Sequence, residues 1–348
     1  MRKTTRKRFR FFVGIDVSRD FFDYTLKKGK LTVSQGREEN NVDGINRFIQ
    51  TLATTDAYKH PLCVFGMEHT GVYCNHLLRL LRKSKANVVH ENALAIRNSL
   101  GLVRGKTDQL DSERIAKYLY ISREDLMLWK PKRDVIIYLS VLSSLRERLN
   151  VNRMSVTHTL NEYAEFADQG IADLLSASTT LTLSSIKQDI SDIDTKIKSL
   201  WATDKRLKEL MDVMMSVPNI GEKTAMQILI KTNEFKDISD PRKFACLAGI
   251  APFPYQSGKS LNGRCRVSYL ADNKMKTLLH LCSISAIRCN PEFSSYFKRK
   301  TKEDGKNGML VVNAIRFKLV LRVFACVKGN RFYQKEYLTK RQNKISTG

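Results

Sequence analysis

The segment Phe11-Phe12-Val13-Gly14-Ile15-Asp16-Val17-Ser18 reads as a buried strand with an acid near its end. Burying an ionised carboxylate without a partner is costly, so Asp16 is expected to face a metal ion or a catalytic cleft. Three further carboxylates fit the same site. Glu68 follows the apolar run Leu62-Cys63-Val64-Phe65-Gly66-Met67, a second buried strand ending in an acid. Asp108 and Asp111 stand three apart at the head of a helical pattern and so project from one face. Two strand-end acids and a helical acid pair are what a two-metal phosphoryl-transfer centre needs. Each also has a plainer reading: Asp108 and Asp111 as first-turn residues favoured by the helix dipole, Glu68 as a solvated strand end.

Composition points to a polyanionic partner. The 348 residues carry a formal charge of +25, with an isoelectric point near 9.8, which implies nucleic acid. Arg2, Lys3, Arg6, Lys7, Arg8 and Arg10 crowd the first ten residues, either to track a phosphate backbone or as a solubilising tail. This arm has no apolar signal-peptide core, so secretion is not expected. The seven cysteines include no C-x-x-C pair, which suits reduced thiols in a cytoplasmic compartment and gives no reason to expect structural zinc. The apolar stretch from Met309 to Val327 is interrupted by Arg316, Lys318 and Arg322, so a core helix is expected there and no membrane partner.

Periodicity divides the chain into three regions. Over 1–125, strands are expected near 11–17, 21–27, 30–36, 62–67 and 87–91, and helices near 43–53, 72–85 and 109–121, which makes a mixed sheet. Over 126–215 the pattern is long helices. Ile186, Ile190, Ile193, Ile197, Leu200, Leu207, Met211 and Met214 form a heptad seam that only Asp204 breaks, so a coiled coil is expected, with Asp204 fixing register. The seam fits a contact between protomers or a hairpin with the preceding helix around Leu139, Leu142, Leu145 and Leu149.

The third region, 216–348, is expected to be mainly helical, giving an α/β plus α chain. It opens with Val217-Pro218-Asn219-Ile220-Gly221-Glu222-Lys223-Thr224-Ala225. A Pro-x-x-Gly turn that starts a helix presents backbone N–H groups able to hold a phosphate, as in a helix-hairpin-helix element, although a plain inter-helix turn has the same appearance. Asn219 stands where such elements usually have a first Gly, and Asn tolerates the left-handed conformation. Lys223 in this turn and Lys106 beside the acid pair are candidate nucleic-acid contacts. Further on, Gln256-Ser257-Gly258-Lys259-Ser260 and Gly263-Arg264-Cys265-Arg266 place serines among cations. A serine can act as a nucleophile when its proton is removed and the phosphate it attacks is clamped, and Lys259, Arg264 and Arg266 are available for the clamp.

The ordered set Gly14-Ile15-Asp16-Val17-Ser18, Met67-Glu68-x-Thr70-Gly71-x-Tyr73, Lys106-Thr107-Asp108-x-x-Asp111, Pro218-x-Ile220-Gly221-x-x-Thr224-Ala225 and Ala248-Gly249-Ile250-x-Pro252, leading to Gln256-Ser257-Gly258, resembles the DEDD transposases of the "IS one-ten" insertion sequences. These are related to Piv-type DNA invertases and include bridge-RNA-guided recombinases. The resemblance spans nearly the whole chain. It implies a ribonuclease-H-like (RuvC-like) first domain, a coiled-coil middle and a C-terminal transposase domain. Asp16, Glu68, Asp108 and Asp111 would then hold one or two Mg²⁺, with Mn²⁺ as a substitute, and Ser257 would form a covalent phosphoserine link to DNA. A structured noncoding guide RNA, donor and target DNA, and a second copy of the chain in a homodimer or larger homo-oligomer are the implied partners, in a bacterial or archaeal cytoplasm. Two other readings use the same residues: a RuvC-like junction nuclease in which the acids activate water, separated by the absence of a covalent adduct, and a non-catalytic nucleic-acid-binding protein, separated by the absence of metal-dependent cleavage.

Overall fold

The computed structural model describes residues 9–56, 58–101, 105, 107–257, 261–268 and 270–335, with the backbone alone over 254–257 and 261–266. The chain divides into two compact units, Met1–Pro131 and Lys132–Gly348.

The first unit is built on a five-stranded mixed sheet. Strands β1 (Phe11–Val17), β2 (Phe21–Lys28) and β3 (Leu31–Glu39) form an antiparallel meander. Helix α1 (Val42–Ala53) crosses to β4 (Cys63–Glu68), and α2 (Asn75–Lys83) crosses to β5 (Asn87–Glu91). Both crossovers produce parallel pairs, giving the order β3-β2-β1-β4-β5. A short α3 (Ala93–Ser99), not expected from the periodicity, precedes α4 (Asp108–Ile121).

Alternation along β1 explains its unbroken apolar run. Phe11, Val13, Ile15 and Val17 pack with Ile45, Phe48 and Leu52 of α1 and Leu77 and Leu81 of α2, while Phe12 packs with Val64, Val89 and Leu119 on the other face. A strand covered on both faces needs apolar residues at every position except those with another task. On the α4 face those exceptions are Gly14 and Asp16. A Cβ at Gly14 would lie 2.1 Å from the Ser112 carbonyl oxygen and 2.3 Å from the Ala116 nitrogen, so only glycine lets the helix backbone rest directly on the strand. Gly66 does the same for Leu119 of α4, whose Cδ1 would lie 2.8 Å from the added carbon.

Among its described residues the second unit is helical apart from one hairpin. It comprises α5 (Asp134–Phe166), α6 (Gln169–Thr203), α7 (Lys205–Met215), α8 (Glu222–Thr232), α9 (Pro241–Leu247), the hairpin β6 (Phe253–Ser257) and β7 (Leu261–Arg266), then α10 (Asn273–Cys289), α11 (Pro291–Lys298) and α12 (Gly308–Lys328). One hydrophobic core joins α5, α6 and α7 to α8 through α12. Ile193 and Ile197 are buried in it with Ile136 and Leu139, and Leu142 and Leu149 pack at its edge, so this part of the seam closes a hairpin within the chain. The interruption at Asp204 has a different cause from the one expected. Asp204 lies between α6 and α7 and caps the latter by accepting from the Leu207 amide at 3.0 Å, while its carboxylate pairs with Arg133. It ends one helix and starts another instead of fixing the register of a single one. Nearby, the buried Glu234 carboxylate collects Arg133, Arg206 and Lys236 at 3.1, 2.7 and 3.0 Å. The stretch Met309–Val327 lies within α12, and no helix among the described residues is long and apolar enough to cross a membrane.

Candidate active site

Register places acids side by side across the first sheet. Asp16 pairs with Asp23 of β2, and Asp23 with Arg37 of β3. Ile15 pairs with Met67, which sets Glu68 beside Asp16, and Glu68 pairs with Glu91 of β5. Cross-strand partners share a face, so Arg37, Asp23, Asp16, Glu68 and Glu91 form one row. That face is the one α4 covers: Thr25 Oγ1 meets Ser112 Oγ of α4 at 2.8 Å, Lys27 pairs with Glu113 at 2.8 Å, and the Tyr118 hydroxyl donates to Glu91 at 3.3 Å.

Helix α4 begins where this row ends. Thr107 is its N-cap and accepts from the Leu110 amide at 3.2 Å, and Asp108 and Asp111 fill the first turn, where the helix dipole favours acids. The close seat at Gly14, two residues before Asp16, fixes this acidic turn against the end of β1. Burial, and then the charges of Asp111, Glu68, Asp108 and Asp23, push the Asp16 carboxyl up from 3.8 to about 6. The other three sequence candidates for the acid cluster therefore all act on Asp16.

Three of these acids are held by cations. Arg37 grips Asp23 through Nε and Nη2, the latter at 2.9 Å, and reaches Asp108 at 3.1 Å. Arg114 pairs with Asp111 at 2.6 Å. Among the described residues no three His, Cys, Asp or Glu side chains close around one point tightly enough to hold an ion. The donor set nonetheless suits a hard divalent ion: all oxygen, with a central carboxyl whose ionised form its neighbours disfavour. An ion here would reverse the sign of that local field.

The remaining candidates belong to the second unit or fall outside the described residues. Ser257 is the last residue of β6, opposite Leu261 of β7, and its side chain, like those of Arg264 and Arg266, lies outside the description. Lys106 and Lys259 also lie outside it, as do all cations of the N-terminal arm except Arg10. Asn219 adopts φ 69°, the left-handed conformation expected of it, and Gly221 caps α8 without a side-chain bond. Lys223 is exposed on the first turn of α8 and borders a cleft of about 780 Å³ that Arg146, Lys187, Lys198 and Lys274 also line. Arg37, Asp23 and Glu91 escaped the sequence reading. Asp23 carried a usable signal: it stands in the apolar strand Phe22-Asp23-Tyr24 as Asp16 does in its own.

Comparison with known proteins adds the family. A family model of DEDD transposases of the IS110 type matches residues 13–166, and the model described as "Transposase IS116/IS110/IS902 family" matches residues 211–298. The chain belongs to the IS110 transposase family. The match covers both units, so this transposase is an enzyme of DNA recombination. It is 24% identical over 330 residues to the "Pilin gene-inverting protein" of Moraxella lacunata, across 93% of this chain and 98% of the relative, and equally so to that of Moraxella bovis. A Streptomyces coelicolor protein named for insertion element IS110 is 20% identical over 165 residues, or 47% of this chain and 39% of the relative.

Proposed function

We propose that this transposase cuts and rejoins DNA through a divalent-metal centre on its first unit and a serine nucleophile on its second. The observation that carries the reading is the convergence on Asp16: three acids from β4 and α4 raise its pKa, and α4 is held against the strand by Gly14. The strand order, three antiparallel strands followed by two parallel ones with a helix laid over the acid row, supports a ribonuclease-H-like, RuvC-like domain. Asp16, Glu68, Asp108 and Asp111 would hold one or two Mg²⁺, or Mn²⁺, and a bound ion supplies stabilisation of the charge that develops on the scissile phosphate. For Asp108 to take part, Arg37 must release it, and Asp23 keeps Arg37 at hand when it does.

Ser257 is the proposed nucleophile. Its Oγ bonds to phosphorus as the bond from phosphorus to one DNA oxygen breaks. The serine proton leaves to a base, and the departing oxygen takes up a proton. A phosphoserine ester thus replaces a phosphodiester, so a new DNA hydroxyl can reverse the step and rejoin strands without a nucleotide triphosphate. Lys106, Lys223, Lys259, Arg264 and Arg266 are the proposed contacts to phosphate oxygens. A structured noncoding guide RNA pairing with donor and target DNA follows from the family resemblance alone. Assembly of two or more copies is supported by apolar side chains at the distal part of the α5–α6 hairpin, where Phe166 and Leu181 are 81% and 80% exposed.

The test is a denaturing gel of the protein incubated with Mg²⁺, its guide RNA and a nicked DNA substrate. The unmodified chain should yield a DNA-shifted covalent band, Ser257→Ala none, and Ser260→Ala a band of nearly full intensity. Cleavage with no band from the unmodified chain would instead make it a water-activating nuclease.

A further inference from the structure

Helix α12 carries three cations inside a largely apolar sequence, and two have ordinary partners. Lys318 lies over the Tyr296 ring at 4.4 Å. Arg322 pairs with Glu292 and covers the Phe293 ring at 4.5 Å. Arg316 has neither. It is 5% exposed, and among the described residues no carboxylate lies within ion-pair distance of it. Its guanidinium donates through Nη1 to Asn313 Oδ1 at 3.3 Å and through Nη2 to His280 Nδ1 at 2.6 Å, both neutral acceptors. Its Nε is buried without any partner among the described residues. Two of five N–H donors are thus accounted for by neutral groups.

The surroundings favour an incoming anion. A guanidinium can only donate, so His280 Nδ1 accepts and the ring proton sits on Nε2, a second donor in the cluster. Burial and the charge of Arg316 hold the His280 pKa below its usual value, which keeps the ring neutral. Asn313 ties the cluster to the chain ahead of the serine hairpin, donating through Nδ2 to the Ile250 carbonyl at 2.8 Å. Ile250 stands three residues before β6, whose last residue is Ser257. A lone buried charge destabilises a fold, and an apolar residue of similar volume usually does better in its place. The charge at this position therefore calls for a counter-ion that the described residues do not supply.

We propose that Arg316, with His280 beside it, binds a phosphodiester of the DNA backbone at the foot of the β6–β7 hairpin. Among oxyanions, the phosphodiester suits a planar fork whose remaining N–H groups can serve two oxygens. The assignment rests on the DNA-recombination reading above, and it makes Arg316 a substrate-holding residue separate from the acid cluster.

The experiment compares full-length Arg316→Met with the unmodified chain and with Lys328→Met, which removes the same charge from the exposed end of α12. Affinity for a labelled DNA duplex is measured across a salt series, together with thermal unfolding and the covalent-adduct assay. For Arg316→Met the slope of log K against log salt should flatten by about 0.9, the loss of one phosphate contact, while the melting temperature stays level or rises. For Lys328→Met the slope should hold. Arg316→Lys, which keeps a charge, should restore most of the slope, and Arg316→Gln replaces the Met variant should that one not fold. An unchanged slope in a folded neutral variant, or equal flattening in Lys328→Met, overturns the proposal. Flattening with single-stranded RNA but not with DNA overturns it in favour of an RNA site. A Ser257-dependent adduct with an unchanged slope removes this site and leaves the recombination reading standing. A flattened slope with no adduct from the unmodified chain does the reverse.

Discussion

Replacing Asp16 by Asn should stabilise the metal-free protein while abolishing strand cleavage. The magnitude follows from the local field. The Asp16 carboxyl is raised from 3.8 to about 6, a shift of roughly two units, so its ionised form costs about 3 kcal/mol at 1.36 kcal/mol per unit. Because the folded-state pKa is the higher one, the native state binds the extra proton between about pH 4 and pH 6. Stability of the metal-free chain therefore falls as pH rises through that window and is flat above it. Asn cannot ionise, so the variant should gain about 1–3 kcal/mol at pH 8 in a chelator and nearly nothing at pH 4, where Asp16 is already protonated.

The chain has two tryptophans, Trp129 at the edge of the first unit's core and Trp201 in the core of the second. A Trp201→Phe background makes fluorescence report the first unit alone. In that background the gain should raise the first unit's melting point by about 3–5 °C per kcal/mol. Mg²⁺ at a hundredfold excess over its Kd should stabilise the parent by about 2.7 kcal/mol and the Asn variant by much less. DNA binding should be little changed. A variant that melts lower than the parent in chelator at both pH values would refute the reasoning, since it would make Asp16 a hydrogen-bonded structural acid.

Two further outcomes follow from the same site. Gly14→Ala should cost about 3 kcal/mol in thermal unfolding, since the added carbon meets helix backbone that cannot turn aside, and the Mg²⁺-induced rise in melting point should shrink with it; a variant of parental stability would mean that α4 can slide on β1. Arg37→Ala should lower the stability of the metal-free protein, because Asp23 loses its fork and Asp16 faces a stronger negative field, and should strengthen Mn²⁺ binding by calorimetry as Asp108 is released. Weaker Mn²⁺ binding in that variant would identify Arg37 as a support for the metal set instead of a competitor.

Legibility from sequence followed how each feature is encoded. Strands β1 and β4 could be read because both are covered on two faces, which forces unbroken apolar runs, and Gly29, in the left-handed conformation, marks the break between β2 and β3. Arg37 could not, because its task depends on a cross-strand register with Asp23, fourteen positions away, and β3 reads as an ordinary polar edge. Asp204 differs from its expected role for another reason. A heptad template counts spacing and is blind to capping, yet Asp204 stands three residues before Leu207, the amide that it caps.

The convergence of the acids had a marker that spacing alone overlooked. Gly14 and Gly66 each stand two residues before an acid, Asp16 and Glu68, and the side-chain period of a strand is two. Each glycine therefore lies on the same face as the acid that follows it. A glycine inside a buried strand often marks the close approach of another backbone, so the pair points to a helix crossing that face one step before the acids. The helix that crosses is α4, and its first turn brings Asp108 and Asp111. In this chain two missing side chains indicate the placement of four carboxylates, and replacing either glycine should disturb the Asp16 field without touching an acid.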